Sequence, residues 1–250
     1  MTGAIRIGTS GWHYEHWRGA FYPDALPKTC WLAFYARHFD AVEIDNSFYR
    51  LPTPRAVAHW RQAAPADFRF AMKASRYTTH VKRLKDAPAS FVKFFAAIAP
   101  LAGQLGPILF QTPPRFAPDA ARLDAFIAEL PQGYSYAFEF RDPRWFNADV
   151  RRLLQRRNCA FCIFEIGGLQ SPLWRTADFT YLRLHGPGEK YSGSYSEAAL
   201  RRWARRIRDW RKEIDVWCFF DNDELGYAAH DAARLQKMLS RRRASAHCEG

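Results

Sequence analysis

The chain has no run approaching the ~18 consecutive apolar residues that a membrane-crossing helix needs. Its opening, Met1-Thr2-Gly3-Ala4-Ile5-Arg6, lacks the apolar stretch of a secretory signal. A cytoplasmic protein with no membrane partner is the expectation. Neither G-x-G-x-x-G nor a P-loop follows any strand-like run, which removes the usual nucleotide signatures of an open doubly wound sheet. Cysteine is sparse. The five (Cys30, Cys159, Cys162, Cys218 and Cys248) are too few for a disulfide framework in 250 residues. Cys159 and Cys162 have C-x-x-C spacing, but they flank a strand-like run. Residues three apart on a strand face opposite sides, so both read as buried structural thiols, neither bridged nor sharing an ion. There is also no internal repeat, low-complexity segment or linker. One domain is expected over residues 1–239, followed by a polar, basic, disordered tail over residues 240–250.

Negative charge is in short supply: 25 Asp and Glu stand against 37 Lys and Arg, a net +12. That raises nucleic acid or another polyanion as a partner. Placement tempers the reading. Arg201, Arg202, Arg205, Arg206, Arg208, Arg211 and Lys212 share one predicted helix, Arg151, Arg152, Arg156 and Arg157 another, and Arg241 to Arg243 open the tail. Helices of this kind face solvent, so this charge reads as a solubilising surface.

What the chain does have is apolar and aromatic residues, at 48% and 16%, enough for a substantial core. Eight strand-like runs occur: Ile5–Thr9, Ala41–Asp45, Arg69–Ala74, Pro107–Gln111, Tyr136–Arg141, Ala160–Glu165, Tyr181–His185 and Val216–Asp221. Helical patterns separate most of them, as where Leu200, Trp203, Ile207 and Trp210 form one apolar stripe. Between the sixth and seventh runs, Gly167-Gly168 and Pro172 leave room for a short helical turn at best. Strand–helix alternation repeated eight times predicts an α/β fold, a single eight-stranded parallel β/α (TIM-like) barrel.

Several segments, in order, resemble the YecE-like family, also called domain of unknown function 72. They are Gly8-Thr-Ser-Gly-Trp-His-Tyr-Glu-His-Trp-Arg-Gly-Ala-Phe-Tyr-Pro23, Val42-Glu-Ile-Asp-Asn-Ser-Phe-Tyr49, Phe70-Ala-Met-Lys73 with Thr79-His80, and Leu105-Gly-Pro-Ile-Leu-Phe-Gln-Thr-Pro-Pro114. Phe138-Glu-Phe-Arg-Asp-Pro-Arg-Trp145, Tyr181-Leu-Arg-Leu-His-Gly186 and Phe220-Asp-Asn-Asp223 continue the series. The resemblance implies a barrel and brings no settled activity. Two departures stand out. Glu43-Ile44-Asp45-Asn46 replaces a Glu-x-Asn pattern, and Asp221-Asn222 replaces paired asparagines, each adding a carboxylate at the barrel mouth.

Period two assigns the site. Glu43 and Asp45, Glu139 and Arg141, and Arg183 and His185 each share one strand face, opposite apolar partners that belong under helices. The charged sets must then point into the barrel, where active sites gather at strand ends. Glu43, Glu139 and His185 are the catalytic candidates. Trp12, Tyr14, Asn46, Lys73, Gln111, Arg141, Arg183, Asp221 and Asn222 are the candidates for binding substrate. Glu165 also ends a strand. In the loop after the third run, Arg76, His80, Lys82 and Arg83 lie on the pocket side and suit an anion. Aromatics of residues 10–28 either stack on a ligand or plug the mouth, as Trp17 and Phe21 are placed to do. The loop of residues 186–196 reads as mobile. Glu43, Glu139, His185 and Asp221 offer metal ligands, but a single His beside two arginines argues against a metal, and no cofactor is called for.

The function these residues suggest is general acid–base catalysis on an anionic, sugar- or nucleotide-containing substrate. A nucleic-acid-processing or -binding barrel and a non-catalytic module for a small anion or sugar are the alternatives.

Overall fold

The protein is described here from a computed structural model that covers residues 2–85 and 87–240. Asp86, Cys248, Arg241 to Arg243 and nearly all of the expected tail lie outside the described residues.

Runs rich in Val, Ile, Phe and Tyr form eight parallel strands. They are β1 (Ile5–Thr9), β2 (Ala41–Ile44), β3 (Arg69–Lys73), β4 (Leu105–Thr112), β5 (Tyr136–Phe140), β6 (Ala160–Ile166), β8 (Phe179–Leu184) and β9 (Asp215–Phe220). Their order, β1-β9-β8-β6-β5-β4-β3-β2, runs once around a nearly closed barrel. Helices α1 (Trp31–Tyr35), α2 (Pro54–Ala63), α3 (Ala87–Ile98), α4 (Ala120–Ala128), α5 (Ala148–Arg156), α6 (Glu197–Trp210) and α7 (Tyr227–Ser240) pack outside it. Side-chain caps fix several starts, as where Thr53 accepts from Ala56 N–H ahead of Pro54, and Ser196 from Ala199 N–H.

Alternation sorts the side chains into two cores. Val42, Ile44, Phe70, Met72, Phe110, Phe138, Phe140, Leu182 and Leu184 face the helices. Ala41, Ala71, Leu109, Ala137, Ala160, Cys162, Tyr181 and Phe219 fill the barrel. Small residues and large rings share this interior. Cys159 joins the outer core and Cys162 the inner one, and both thiols are free.

The sixth crossover contains no helix at all. Gly167 and Gly168, both with positive φ, turn the chain into a two-residue antiparallel strand, β7 (Leu169–Gln170), against β6. The segment then runs back beside β6. Its hydroxyls take the strand's backbone donors, Phe164 N–H to Ser171 Oγ at 2.9 Å and Phe161 N–H to Thr176 Oγ1 at 2.7 Å. On α6, Leu200, Trp203 and Ile207 are buried while Arg201, Arg202 and Arg205 are exposed on the outer ring.

The seam between β1 and β2 is unlike the other strand pairs. Side chains stitch it. Ile7 N–H donates to Asp40 Oδ1 at 3.2 Å, and Thr9 N–H to the Tyr35 hydroxyl at 2.9 Å, which donates on to Ala41 O at 3.2 Å. Only at its top does backbone meet backbone, Gly11 N–H to Glu43 O at 2.8 Å beside a Ser10–Glu43 bridge. Gly8 makes this approach sterically feasible, since a Cβ there would lie 2.0 Å from Ala41 O. Tyr35→Phe is therefore expected to leave the buried Thr9 N–H without its acceptor and to cost about 1–3 kcal/mol. Urea unfolding measures this, and an unchanged midpoint would refute the stitching role.

Candidate functional site

Strand register carries the inward residues to one level. Glu43 pairs across with Ala71, Gln111 with Glu139, and Arg183 with Phe164 on one side and Phe219 on the other. Arg141, His185 and Asp221 each lie one residue beyond a strand end, and Asp45 likewise follows β2. The polar top of the barrel is thus the continuation of its alternating interior face.

Arg183, 1% exposed, is the hub. Its Nη2 donates to Glu43 Oε1 at 2.7 Å, to Asp221 Oδ2 at 2.9 Å and to Ser10 Oγ at 3.2 Å. Its Nε also reaches Glu43 Oε1 at 3.1 Å, and Nη1 donates to Glu139 Oε2 at 3.0 Å. Tyr181 Oη and Ser10 Oγ donate to Glu43 at 2.7 and 2.5 Å. Arg141 Nε donates to Glu139 Oε1, and its guanidinium lies over the Phe164 ring. Burial alone would raise the Glu139 carboxyl, but the charges of Arg141 and Arg183, with Lys73, outweigh it and hold it well below its ordinary range. Burial disfavours the Arg183 charge too, and Glu43, Glu139 and Asp221 overcome that penalty.

His185 is fully buried. Guanidinium nitrogens of Arg141 and Arg183 stand 3.2 and 3.4 Å from Nε2. Both are donors, so Nε2 accepts and the proton sits on Nδ1, which lies 2.9 Å from Asp221 Oδ2 but off the line of a good hydrogen bond. Burial, then the Arg183 charge, keeps this imidazole neutral by lowering its pKa well below 6.5. The expected proton shuttle is thus a neutral ring with its acceptor nitrogen occupied. The carboxylates offered as metal ligands likewise face guanidinium groups, a donor set that disfavours a cation.

Two charged groups at this level are uncommitted. Lys73 follows the interior Ala71 by two residues, and its Nζ lies 4.5 Å from the Phe48 ring centroid. Among the described residues it has no hydrogen bond or ion pair, and burial and Arg183 lower its pKa. Asp45 is the counterpart. Its carboxylate has no side-chain or backbone donor among the described residues, and burial, reinforced by Asp221 and Glu43, raises it to about 6. The Asp221 carboxyl is also raised, by burial.

The rim divides by chemistry. On one side Trp12, Tyr14, Asp45, Asn46 and Trp60 line a cavity of about 210 Å³. On the other, burial, then the charges of Lys73, Arg76 and Arg141, lower His80 to about 4. Trp17, fully buried, plugs the mouth edge and donates to Asp223 Oδ1 at 2.6 Å. Gln111 Oε1 is buried there without a partner.

Other expected site residues lie elsewhere. Asn222 turns outward, its Nδ2 donating to Gly193 O at 2.8 Å and Asp231 Oδ2 at 2.9 Å, so it ties the 186–196 loop to α7 and is closed to substrate. Asp231 also accepts from Tyr195 N–H and Ser194 Oγ, each at 2.8 Å, which anchors the C-terminal half of the loop expected to be mobile. Glu165 likewise faces out and accepts from Trp203 Nε1 on α6. Arg83 is exposed, and Lys82 lies over the Tyr77 ring. The sequence reading passed over Ser10 and Tyr181. Period two, run back from His185 and Arg183, reaches Tyr181, but an aromatic at a strand start reads as core.

Fold and site define a parallel β/α barrel whose interior, at the C-terminal ends of its strands, is built on a buried arginine–carboxylate lattice. Residues 6–249 match the family described as Protein of unknown function DUF72, and the chain belongs to that family. It is 34% identical over 143 residues to the UPF0759 protein YecE of Escherichia coli K12, a match covering 57% of this chain and 50% of YecE, about half that relative's length. The UPF0759 protein YunF of Bacillus subtilis 168 is 24% identical, with 94% of both chains covered. A crystal structure of a DUF72 family protein from Thermotoga maritima superposes with a TM-score of 0.87 at 28% identity, covering 94% of this chain and 99% of that one. No described helix is long and apolar enough to cross a membrane.

Removing one partner of a buried pair leaves a charge uncompensated. Glu139→Gln is expected to cost about 3–5 kcal/mol at pH 7. The Glu139 carboxyl has a depressed pKa in the folded state, so its contribution is present above its ordinary 4.5 and is lost as pH falls from there toward the folded value. The stability gap between wild type and variant should narrow on acidification below that point. A gap independent of pH in urea titrations would show that Glu139 is not held ionised by its arginines.

Proposed function

We propose that the protein is an enzyme that performs general acid–base chemistry on a small substrate carrying an anionic group and a ring or hydroxylated portion. The observation that carries this reading is Asp45. Its carboxylate, without a partner among the described residues and raised to about 6, is set where the aromatic cavity meets the charged interior. A group of that pKa exchanges protons readily near neutral pH. Trp12, Tyr14 and Trp60 offer ring faces, and Asn46 an amide for hydroxyls or a base edge. Arg76, His80 and Arg141 suit a phosphate or carboxylate.

Glu43, Glu139 and His185 take a different part in this reading from the one their sequence positions suggest. With every acceptor committed to Arg183, Arg141, Tyr181 or Ser10, they hold the two guanidiniums in place and fix the field in which Asp45 works. Arg141, 10% exposed, and Asp221, 16% exposed, connect that buried charge to the mouth.

A search with sugar phosphates and nucleoside monophosphates, scored first by thermal stabilisation and then by turnover, tests the reading. Asp45→Asn should keep the stabilisation and lose about 10²–10⁴-fold in turnover. The wild-type pH–rate profile should show a limb near pH 6 that the variant lacks. Full turnover in a folded Asp45→Asn protein would remove Asp45 from the chemistry.

A further inference from the structure

We propose that Lys73 is a nucleophilic amine that forms an imine with the carbonyl carbon of the substrate, so that the site takes an aldehyde or ketone bearing an anionic group. This deepens the acid–base reading above and rests on it. Arginines carry the ion pairs of this interior, and Lys73 alone among its cations has no carboxylate within reach among the described residues. Its Nζ rests against the Phe48 ring instead. The lattice feels this ammonium only through space, since among the described residues no hydrogen bond or ion pair ties it to Glu139 or Asp221. Burial and the neighbouring Arg183 charge both favour the neutral, nucleophilic form.

The proton donor is Asp45, at the neighbouring strand end. Ser47 Oγ donates to Lys73 O at 2.6 Å and lies 2.9 Å from Ile44 O, which fastens the turn after β2 to the end of β3. Asp45 sits in that turn, and the Lys73 charge acts on its carboxyl. Ile44 pairs with Met72, so Asp45 and Lys73 follow at the same register step, an acid and an amine at the ends of neighbouring strands, with Arg76 and His80 following on the same loop as Lys73. A carbonyl compound anchored there by its anionic group would meet both.

The chemistry balances without any co-reactant. Lys73 Nζ bonds to the carbonyl carbon and the C=O π pair moves to oxygen. One amine proton passes to that oxygen by way of Asp45, giving a carbinolamine. Protonated Asp45 then gives its proton to the hydroxyl, which leaves as water while the nitrogen lone pair closes C=N. The iminium keeps the second amine proton, and Asp45 is left as the carboxylate, ready to take a proton from the carbon next to the iminium.

Trapping tests this directly. The intact protein is incubated with glyceraldehyde 3-phosphate and sodium cyanoborohydride at pH 7, and adducts are mapped by peptide mass spectrometry. The expected result is one adduct per chain, at Lys73, ahead of the exposed Lys85, Lys212 and Lys237 by about tenfold for each unit its pKa is depressed. Lys73→Arg should lose that adduct. Because the mapping uses wild-type protein, the test does not depend on that variant folding. Thermal stabilisation by glycerol 3-phosphate, which has no carbonyl, runs alongside, with Arg76→Ala as its control. Adducts spread over exposed lysines with Lys73 unmodified overturn the imine. If glycerol 3-phosphate still stabilises the wild type more than Arg76→Ala, the acid–base reading survives that failure; if it stabilises neither, both readings fall.

Discussion

A buried guanidinium organises this molecule. Arg183 lies in a barrel interior whose apolar residues are alanine, leucine, cysteine and aromatic rings, and a charge there is tolerable only with its hydrogen bonds filled. Glu43, Glu139, Asp221 and Ser10 fill them, and they come from β2, β5 and the ends of β9 and β1. One side chain therefore fixes the spacing of strands on opposite sides of the ring. Its partners are in turn held by Tyr181 and Arg141, so the constraint spreads across the whole upper layer.

The same constraint bears on closure. The β1–β2 seam has little ladder of its own and relies on Asp40 and Tyr35 to satisfy strand donors. Its one backbone bridge is Ser10 with Glu43, and these are the two residues that Arg183 binds from across the barrel. The point where the sheet meets itself and the point where the site is anchored coincide. A disturbance of the lattice reaches the seam, and a loosened seam moves Glu43.

A saturated lattice beneath uncommitted groups is a division of labour. Preorganised dipoles and charges do not have to reorient as charge develops, provided they are held as tightly as Arg141 and Arg183 are. In the proposed reaction the groups that exchange protons or form bonds are Asp45 and Lys73, whose side chains have no hydrogen-bond or ion-pair partner among the described residues. The raised Asp45 carboxyl and the lowered Lys73 ammonium share a cause. Both are desolvated beside neighbours of their own sign, Asp221 and Glu43 in one case and Arg183 in the other.

The sequence by itself determined the eight strands, their parallel order and the face each side chain takes, because a period of two and a period of 3.6 are local consequences of backbone geometry. It thereby brought Glu43, Glu139, Arg141, Arg183 and His185 to one interior. It did not determine the helix-free crossover at residues 167–178, where two glycines and two hydroxyls support an antiparallel return instead of a turn of helix. Nor did it tell which way residues just past a strand end would point. Asp221 enters the barrel and Asn222 leaves it, a choice made by contacts to Arg183 and to Asp231 on another helix. Above all, only the tertiary structure decided which ionisable groups are occupied. Pairing among side chains up to 140 residues apart in the chain leaves the expected acids and the histidine committed, and Asp45 and Lys73 without a hydrogen-bond or ion-pair partner among the described residues.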